Sequence, residues 1–246
     1  MITLTQDREI ILAGAGQEPI QGALIETLFA AYGQFPGLVD FYTTDTGAAL
    51  SRQGNELTLS GQDCDAGELC AFARMTGATR MNALTTSLAG EIPADVGVER
   101  RPVMIFPQKA CPSSNWTPSG NPPMERVFDI VKIGSAPNFD TADRTAFITD
   151  IARRRNLGLA QVFTVADGAT AGVYAIGRTH AILACVATLP DKRGRGYASA
   201  AVRACINHCL QLGRIPTLVA EDEDVVDFYE KQGFVACGGN LTLLFG

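Results

Sequence analysis

Histidine is almost missing from this chain. His180 and His208 are the only two in 246 residues, so a serine or cysteine nucleophile would have few bases to draw on. A disulfide framework is missing too. Seven cysteines are an odd number, and the opening MITLTQDREIILAGAG lacks the basic and apolar regions of a secretory leader, so reduced thiols acting as small hydrophobes are expected. Cys205, His208 and Cys209 share a helical face by spacing, but no CxxC pair adds the further ligands zinc requires, and no metal is expected. No run approaches the ~20 apolar residues of a membrane helix; the longest, Ala181 to Leu189, is broken by Thr188. Positive charge is also short. The 20 Lys and Arg stand against 26 Asp and Glu, a formal net charge of −6, which argues against a nucleic-acid partner. What remains is a soluble, cytoplasmic chain, 46% hydrophobic and 19% charged. At ~150 residues per domain its length allows one large domain or two small ones.

What is present divides unevenly. Lys109 to Met124, KACPSSNWTPSGNPPM, holds four prolines, one glycine and three serines, a composition that neither continues a helix nor pairs well as a strand. It also carries the only tryptophan, Trp116, a residue suited to pinning the segment onto a domain surface. The boundary is therefore read as a linker at 111–124, between an N-terminal α/β domain at 1–110 and a second domain at 125–246. In the first, Ile20 to Tyr32 suits a helix, and Val39 to Thr43 and Ala48 to Ser60 read as strands, the latter bent at Gln53-Gly54-Asn55. Asp65 can cap a helix that Gly77 stops, and Val98 to Phe106 resumes a strand. In the second, Arg126 to Ile133 reads as a strand and Thr141 to Asn156 as a helix. Three strands follow at Gln161–Ala166, Ala171–Ile176 and His180–Thr188, then a helix at Ala198–Leu212 and a strand at Pro216–Ala220. A short helix at Val225–Lys231 and paired strands at Phe234–Cys237 and Asn240–Phe245 complete the order.

The most informative stretch is ACVATLPDKRGRGYASAAV, Ala184 to Val202. An apolar strand runs into a loop with two arginines and two glycines, and the loop opens a helix. Backbone N–H groups at a helix N-terminus point outward unsatisfied, and the helix dipole adds partial positive charge, so the arrangement suits an anion. Gly194 and Gly196 let the backbone come close to a phosphate, while Arg193 and Arg195 add charge. Two nucleotide readings fit poorly. The third glycine of a dinucleotide fingerprint is missing, and there is no GKS or GKT of a phosphate loop. A solvated basic turn before an ordinary helix is the plain alternative.

The loop has a companion in Asp227-Phe228-Tyr229-Glu230-Lys231-Gln232-Gly233-Phe234. Arg193, two residues, Gly196, one residue, Ala198 resembles the pyrophosphate loop of the GNAT superfamily of acyl-CoA-dependent N-acyltransferases, and the second segment resembles that family's FYxKxGF signature. The resemblance covers residues ~125–246. It is faint over 1–110, which is similar to a degenerate copy in a tandem member. It implies a mixed α/β fold, a central mixed β-sheet flanked by helices, GNAT-like in the C-terminal half with a smaller degenerate GNAT-like domain before it. It implies further that Val186, Ala187 and Thr188 offer backbone groups to the pantetheine arm of acetyl-CoA. Arg193, Gly194, Arg195, Gly196, Tyr197, Ala198 and Ser199 would wrap the pyrophosphate, and the strands at 180–188 and 216–220 would splay to admit the cofactor arm. Tyr229 matches the tyrosine that protonates the departing thiolate, a role open to a phenol with an ordinary pKa of ~10.

The departures matter. Asp222 stands where the family often has an asparagine contacting the cofactor arm. At Ala184, Cys185 and Val186 the family often carries a glutamate base, and this chain has none. The acceptor's proton then goes to water, to Glu221 or Asp222, or to the N-terminal half; Glu221 is favoured because the end of its strand borders the acceptor side. The expected activity is N-acetyl transfer from acetyl-CoA to a primary amine of a small molecule, without metal, by a monomer or homodimer that binds neither nucleic acid nor membrane. The rival expectation is a catalytically idle acyl-CoA binder.

Overall fold

The computed structural model describes residues 1–111, 113–135, 139 and 143–246. Pro112 in the linker, and Thr141 and Ala142 at the expected start of a helix, lie outside the described residues.

The first half runs β1 (Thr3–Leu4), α1 (Arg8–Ala15), α2 (Pro19–Tyr32), β2 (Val39–Thr43), β3 (Ala49–Gln53), β4 (Glu56–Ser60), β5 (Cys64–Asp65), α3 (Ala66–Thr76), β6 (Arg80–Leu84), β7 (Leu88–Ala89) and β8 (Gly97–Ile105). The second runs α4 (Met124–Gly134), α5 (Arg144–Asn156), β9 (Gln161–Val165), β10 (Ala169–Ile176), β11 (His180–Thr188), α6 (Tyr197–Gln211), β12 (Ile215–Val219), α7 (Val226–Glu230) and β13 (Val235–Leu244). Local chemistry sets several ends. Asp65 Oδ1 accepts the Glu68 N–H at 2.7 Å to start α3, and Gly77, at φ +69°, ends it in the left-handed conformation. Glu18 caps α2 through the N–H groups of Ile20 and Gln21, each at 2.8 Å.

Two readings of the sequence are corrected. Arg126 to Ile133 is helix, not strand. Its β-branched residues suggest extension, but Met124, Val127, Phe128, Ile130 and Val131 recur at helical spacing and all are buried in α4. Phe234–Cys237 and Asn240–Phe245 are not two strands but one, β13, with an irregularity between Ala236 and Gly238.

A single eleven-stranded sheet spans both halves in the order β1-β2-β3-β4-β6-β13-β8-β12-β11-β10-β9. Each half repeats one plan: an antiparallel meander (β2-β3-β4, β9-β10-β11) whose last strand pairs in parallel with the strand that follows the next long helix (β4 with β6, β11 with β12). Even β1, paired with β2, has a counterpart in the bridge between Ser119 and Thr164 of β9. The last strands are exchanged. β8, which ends the first half, pairs with β12 of the second; β13, which ends the second, pairs with β6 of the first. β8 and β13 also pair antiparallel with each other at the centre, from Val235 opposite Ile105 to Leu244 opposite Gly97.

Helices cover both faces. Leu50 packs with Leu57, Leu69 and Met81 of the α3 side, whereas its neighbour Ala49 packs with Ile11, Ile25 and Leu28 of the α1–α2 side. In the second half Val173 and Leu183 join Val202 and Ile206 of α6, while Tyr174 and Ala184 face Val127, Ile130 and Ile151 of α4 and α5. Polar contacts lock the halves together. The Ile176 N–H donates to Thr27 Oγ1 at 2.9 Å, Arg178 pairs with Glu26 at 2.6 Å, and the Tyr32 hydroxyl donates to Asp150 at 2.6 Å. Asp150 also pairs at 2.6 Å with Arg154, whose guanidinium is buried.

Candidate active site

β11 gives the site its floor. Along the β10 edge Ala184 and Ala187 pair with Gly172 and Thr170, so Cys185 and Val186 together oppose Ala171. The bulge puts Cys185 at φ +51°, an unusual conformation for a residue with a side chain, and re-aims the backbone at the end of the strand. On its other edge β11 pairs with β12 only over His180, Ala181 and Ile182. Beyond Ile182 the register with β12 stops among the described residues, a geometry suited to strand addition.

Where β11 ends, the loop begins. A 3-10 turn at Pro190–Lys192 leads to Gly194 at φ +75° and Gly196 at φ +77°, which opens α6 with no side-chain cap. A side chain would be strained at either angle, which is the reason for glycine there. Gly134, the last residue of α4, approaches the end of β11 so closely that a Cβ would lie 3.0 Å from the Thr188 nitrogen and oxygen. Arg193 ties these pieces together, its Nη2 donating to the Gly134 carbonyl at 3.0 Å and its Nε to the Thr188 carbonyl at 3.4 Å. Arg195 Nη2 donates to the Asp191 carbonyl at 3.3 Å.

A cavity of about 550 Å³ lies over this junction. Val186, Ala187, Thr188 and the whole run Arg193–Ser199 line it, and Tyr229 and Phe228 close its far side. Tyr229 is half-buried, edge-on to Phe228 and Phe234 with ring centroids 5.0 and 5.9 Å away. Burial pushes its hydroxyl up to about 12, and the negative charge of Glu221 acts in the same direction. Glu221 and Asp222 lie apart from this cavity. They line a neighbouring groove of about 410 Å³ with Glu99, Arg100, Arg101, Pro102 and Glu223. There Glu221 faces Arg101 of the first half at 3.5 Å, and Asp222 caps the Glu223–Val225 turn through the Val225 N–H at 3.1 Å.

Reading the sequence alone missed Gly134, Lys192, Val225 and Phe228 in the cavity wall, and Arg101 beside Glu221. Phe228 carried a signal within the FYxKxGF-like segment, and Trp116, outside the cavity wall, as the lone tryptophan; its indole sits against the loop. His180 is at the start of β11, opposite end from the loop, and His208 lies edge-on to Phe163 with centroids 6.1 Å apart. Among the described residues no group of three His, Cys, Asp or Glu could hold a metal ion.

The matching junction of the first half is built differently. Between β4 and α3 stands Gly61-Gln62-Asp63-Cys64-Asp65, without arginine, and the Asp65 carboxylate occupies the α3 N-terminus that its counterpart α6 leaves open. An anion is met by a donor-rich helix end in one half and by a carboxylate in the other.

An uncapped helix N-terminus, a glycine loop and a strand whose pairing stops part-way meet at this cavity, and residues 129–234 match the family model described as the acetyltransferase (GNAT) family. This part of the chain is similar to a GNAT-family acetyltransferase domain. Solved structures resemble the chain over both halves. A tandem GNAT protein from the clavulanic acid biosynthesis pathway matches at TM-score 0.59 and 10% identity, over 99% of this chain and 97% of that one. An acetyltransferase from the GNAT family of Colwellia psychrerythraea matches at TM-score 0.59 and 11% identity over 100% of both. A GCN5-related N-acetyltransferase from Kribbella flavida matches at TM-score 0.57 and 13% identity, over 85% of this chain and 86% of that one. At these identities the likeness is one of fold. No curated protein matches the chain in sequence. No helix among the described residues is long and apolar enough to cross a membrane.

Proposed function

We propose that the chain transfers the acetyl group of acetyl-CoA to a primary amine of a small molecule, by direct attack with both substrates bound. The observation that carries this reading is the joint lining of one cavity by the bulged end of β11, the open α6 N-terminus and Tyr229. Gly194, Gly196 and the α6 N-terminus suit the pyrophosphate, and Gly134 packs so closely on Thr188 that a Cβ there would crowd the backbone of the cavity wall. Acetyl-CoA supplies an acyl group activated as a thioester. Backbone N–H groups on the free edge of β11 carry the charge that develops on the acyl oxygen. Tyr229, protonated at neutral pH, donates to the departing sulfur. Glu221, in the acidic groove next to the cavity rather than in its lining, takes the proton of the attacking amine through water, and that groove's excess of carboxylates favours a cationic acceptor.

A thiol-release assay with acetyl-CoA and a panel of polyamines, aminoglycosides and amino-acid amines tests the reading. Turnover on one of them supports it; tight CoA binding without turnover on any returns the protein to an idle binder. Asp65 at the α3 N-terminus leads to a second expectation, one CoA bound per chain rather than two. Titration calorimetry with CoA measures that ratio, and a stoichiometry near two would show the first half to be a working copy.

A further inference from the structure

Residues 113–124 of the segment expected as a linker form a strap tied along the second half. At one end the Arg203 Nη1 donates to the Ser113 carbonyl at 2.8 Å; at the other Ser119 and Thr164 exchange backbone hydrogen bonds of 2.8 and 3.0 Å. Between them Trp116 reaches the glycine loop. Its indole N–H donates to the Arg195 carbonyl at 3.1 Å, and its ring meets Tyr197 edge-to-face with centroids 4.6 Å apart at 85°. Tyr197 is itself buried as the first residue of α6.

We propose that Trp116 is a positioning residue for the acetyl-CoA loop. In a planar trans peptide the C=O and N–H point opposite ways. Holding the Arg195 carbonyl toward the strap therefore turns the Gly196 N–H away from it. Gly196 lines the cavity and sits at φ +77°, a conformation with no side-chain cap to fix it from within the helix. The indole supplies that fixing from outside. A second tie backs it: Arg203 also donates to Gln232 Oε1 at 3.1 Å, and Gln232 Nε2 donates to Ser199 Oγ in the first turn of α6 at 3.2 Å. Loop geometry is thus borrowed from the strap, and through it from β8, which ends just before the strap begins.

The proposal rests on the acetyl-CoA reading above, and one experiment separates the two. CoA affinity is measured by calorimetry for the wild-type chain, Trp116→Phe and Trp116→Ala, alongside KM, kcat and melting temperature. Phenylalanine keeps the edge-to-face packing and loses the N–H, so its Kd for CoA is expected to rise by about three- to ten-fold, the worth of one hydrogen bond. The alanine variant should lose more, and in both the loss should fall on KM for acetyl-CoA rather than on kcat. Because Trp116 is the only tryptophan and 42% exposed, wild-type emission should shift saturably with added CoA. Equal CoA affinity in wild type and both variants, whatever happens to melting temperature, overturns the proposal alone. No CoA binding by the wild-type chain overturns the acetyl-CoA reading and this proposal together.

Discussion

Produced from Pro122 onward, the second half of the chain will not fold into a soluble monomer. A boundary at 111–124 makes such a fragment look self-contained, since it holds the loop, Tyr229 and the family match at 129–234. The sheet argues otherwise. β8 belongs to the first half, yet it lies between β12 and β13, paired with Val219, Leu218 and Thr217 on one side and with the length of β13 on the other. Removing it opens two strand edges in the middle of a sheet, templates for aggregation. It also removes the buried Val103, Met104 and, just beyond the strand, Phe106, whose ring packs against Phe234 at 5.6 Å. Each such side chain contributes about 1.5–3 kcal/mol on burial, so together they approach the ~5–15 kcal/mol net stability of a whole domain. β6 of the missing half is lost to β13 as well. Expression of 122–246 alone should give insoluble protein, and co-expression with 1–121 should restore a soluble complex. A monomeric, CoA-binding 122–246 fragment would show that the exchange of strands is dispensable.

The same exchange explains what the sequence could and could not tell. Elements built from near neighbours were legible: the Asp65-to-Gly77 helix, the hairpin at Gly54-Asn55 and the β9–β11 meander follow from caps, turns and alternation within a dozen residues. The glycine loop was legible as a loop for the same reason, because Gly194 and Gly196 lie together in Arg193 to Ser199, whereas the Trp116 contact that holds it comes from far along the chain. The partnership of β8 with β12 and β13 was not, since it depends on residues more than 100 positions apart with no distinctive side chain to mark them. α4 was misread because Val127, Ile130 and Val131 favour extension locally, and only the packed face selects the helix. The place of Glu221 also needed three dimensions: Arg101, a cation it pairs with, comes from the other half.

Tyr229→Phe should lower kcat by about 100-fold or more, the usual worth of a positioned general acid. Phenylalanine keeps the ring against Phe228 and Phe234, so the α7 turn and the cavity wall retain their shape. Only the hydroxyl goes, and with it the proton proposed for the leaving sulfur. Affinity for CoA should therefore change far less than turnover. The pH profile separates proton donation from simple contact. With its hydroxyl pushed up to about 12 by burial and the nearby Glu221 charge, Tyr229 stays protonated across the working range. Wild-type kcat should thus show no alkaline fall in the region of an ordinary tyrosine, near 10, where a solvent-exposed phenol would already have lost its proton. The stability linkage has a matching sign. A phenol whose pKa rises from 10.0 to about 12 on folding contributes stability that is complete below pH 10 and is lost as pH climbs toward 12. The phenylalanine variant should lack that increment of alkaline destabilisation, readable as a shallower fall in melting temperature above pH 10. Turnover in Tyr229→Phe within two-fold of wild type, or a wild-type kcat that falls away with an apparent pKa near 10, would remove Tyr229 from the role of acid and leave proton delivery to solvent.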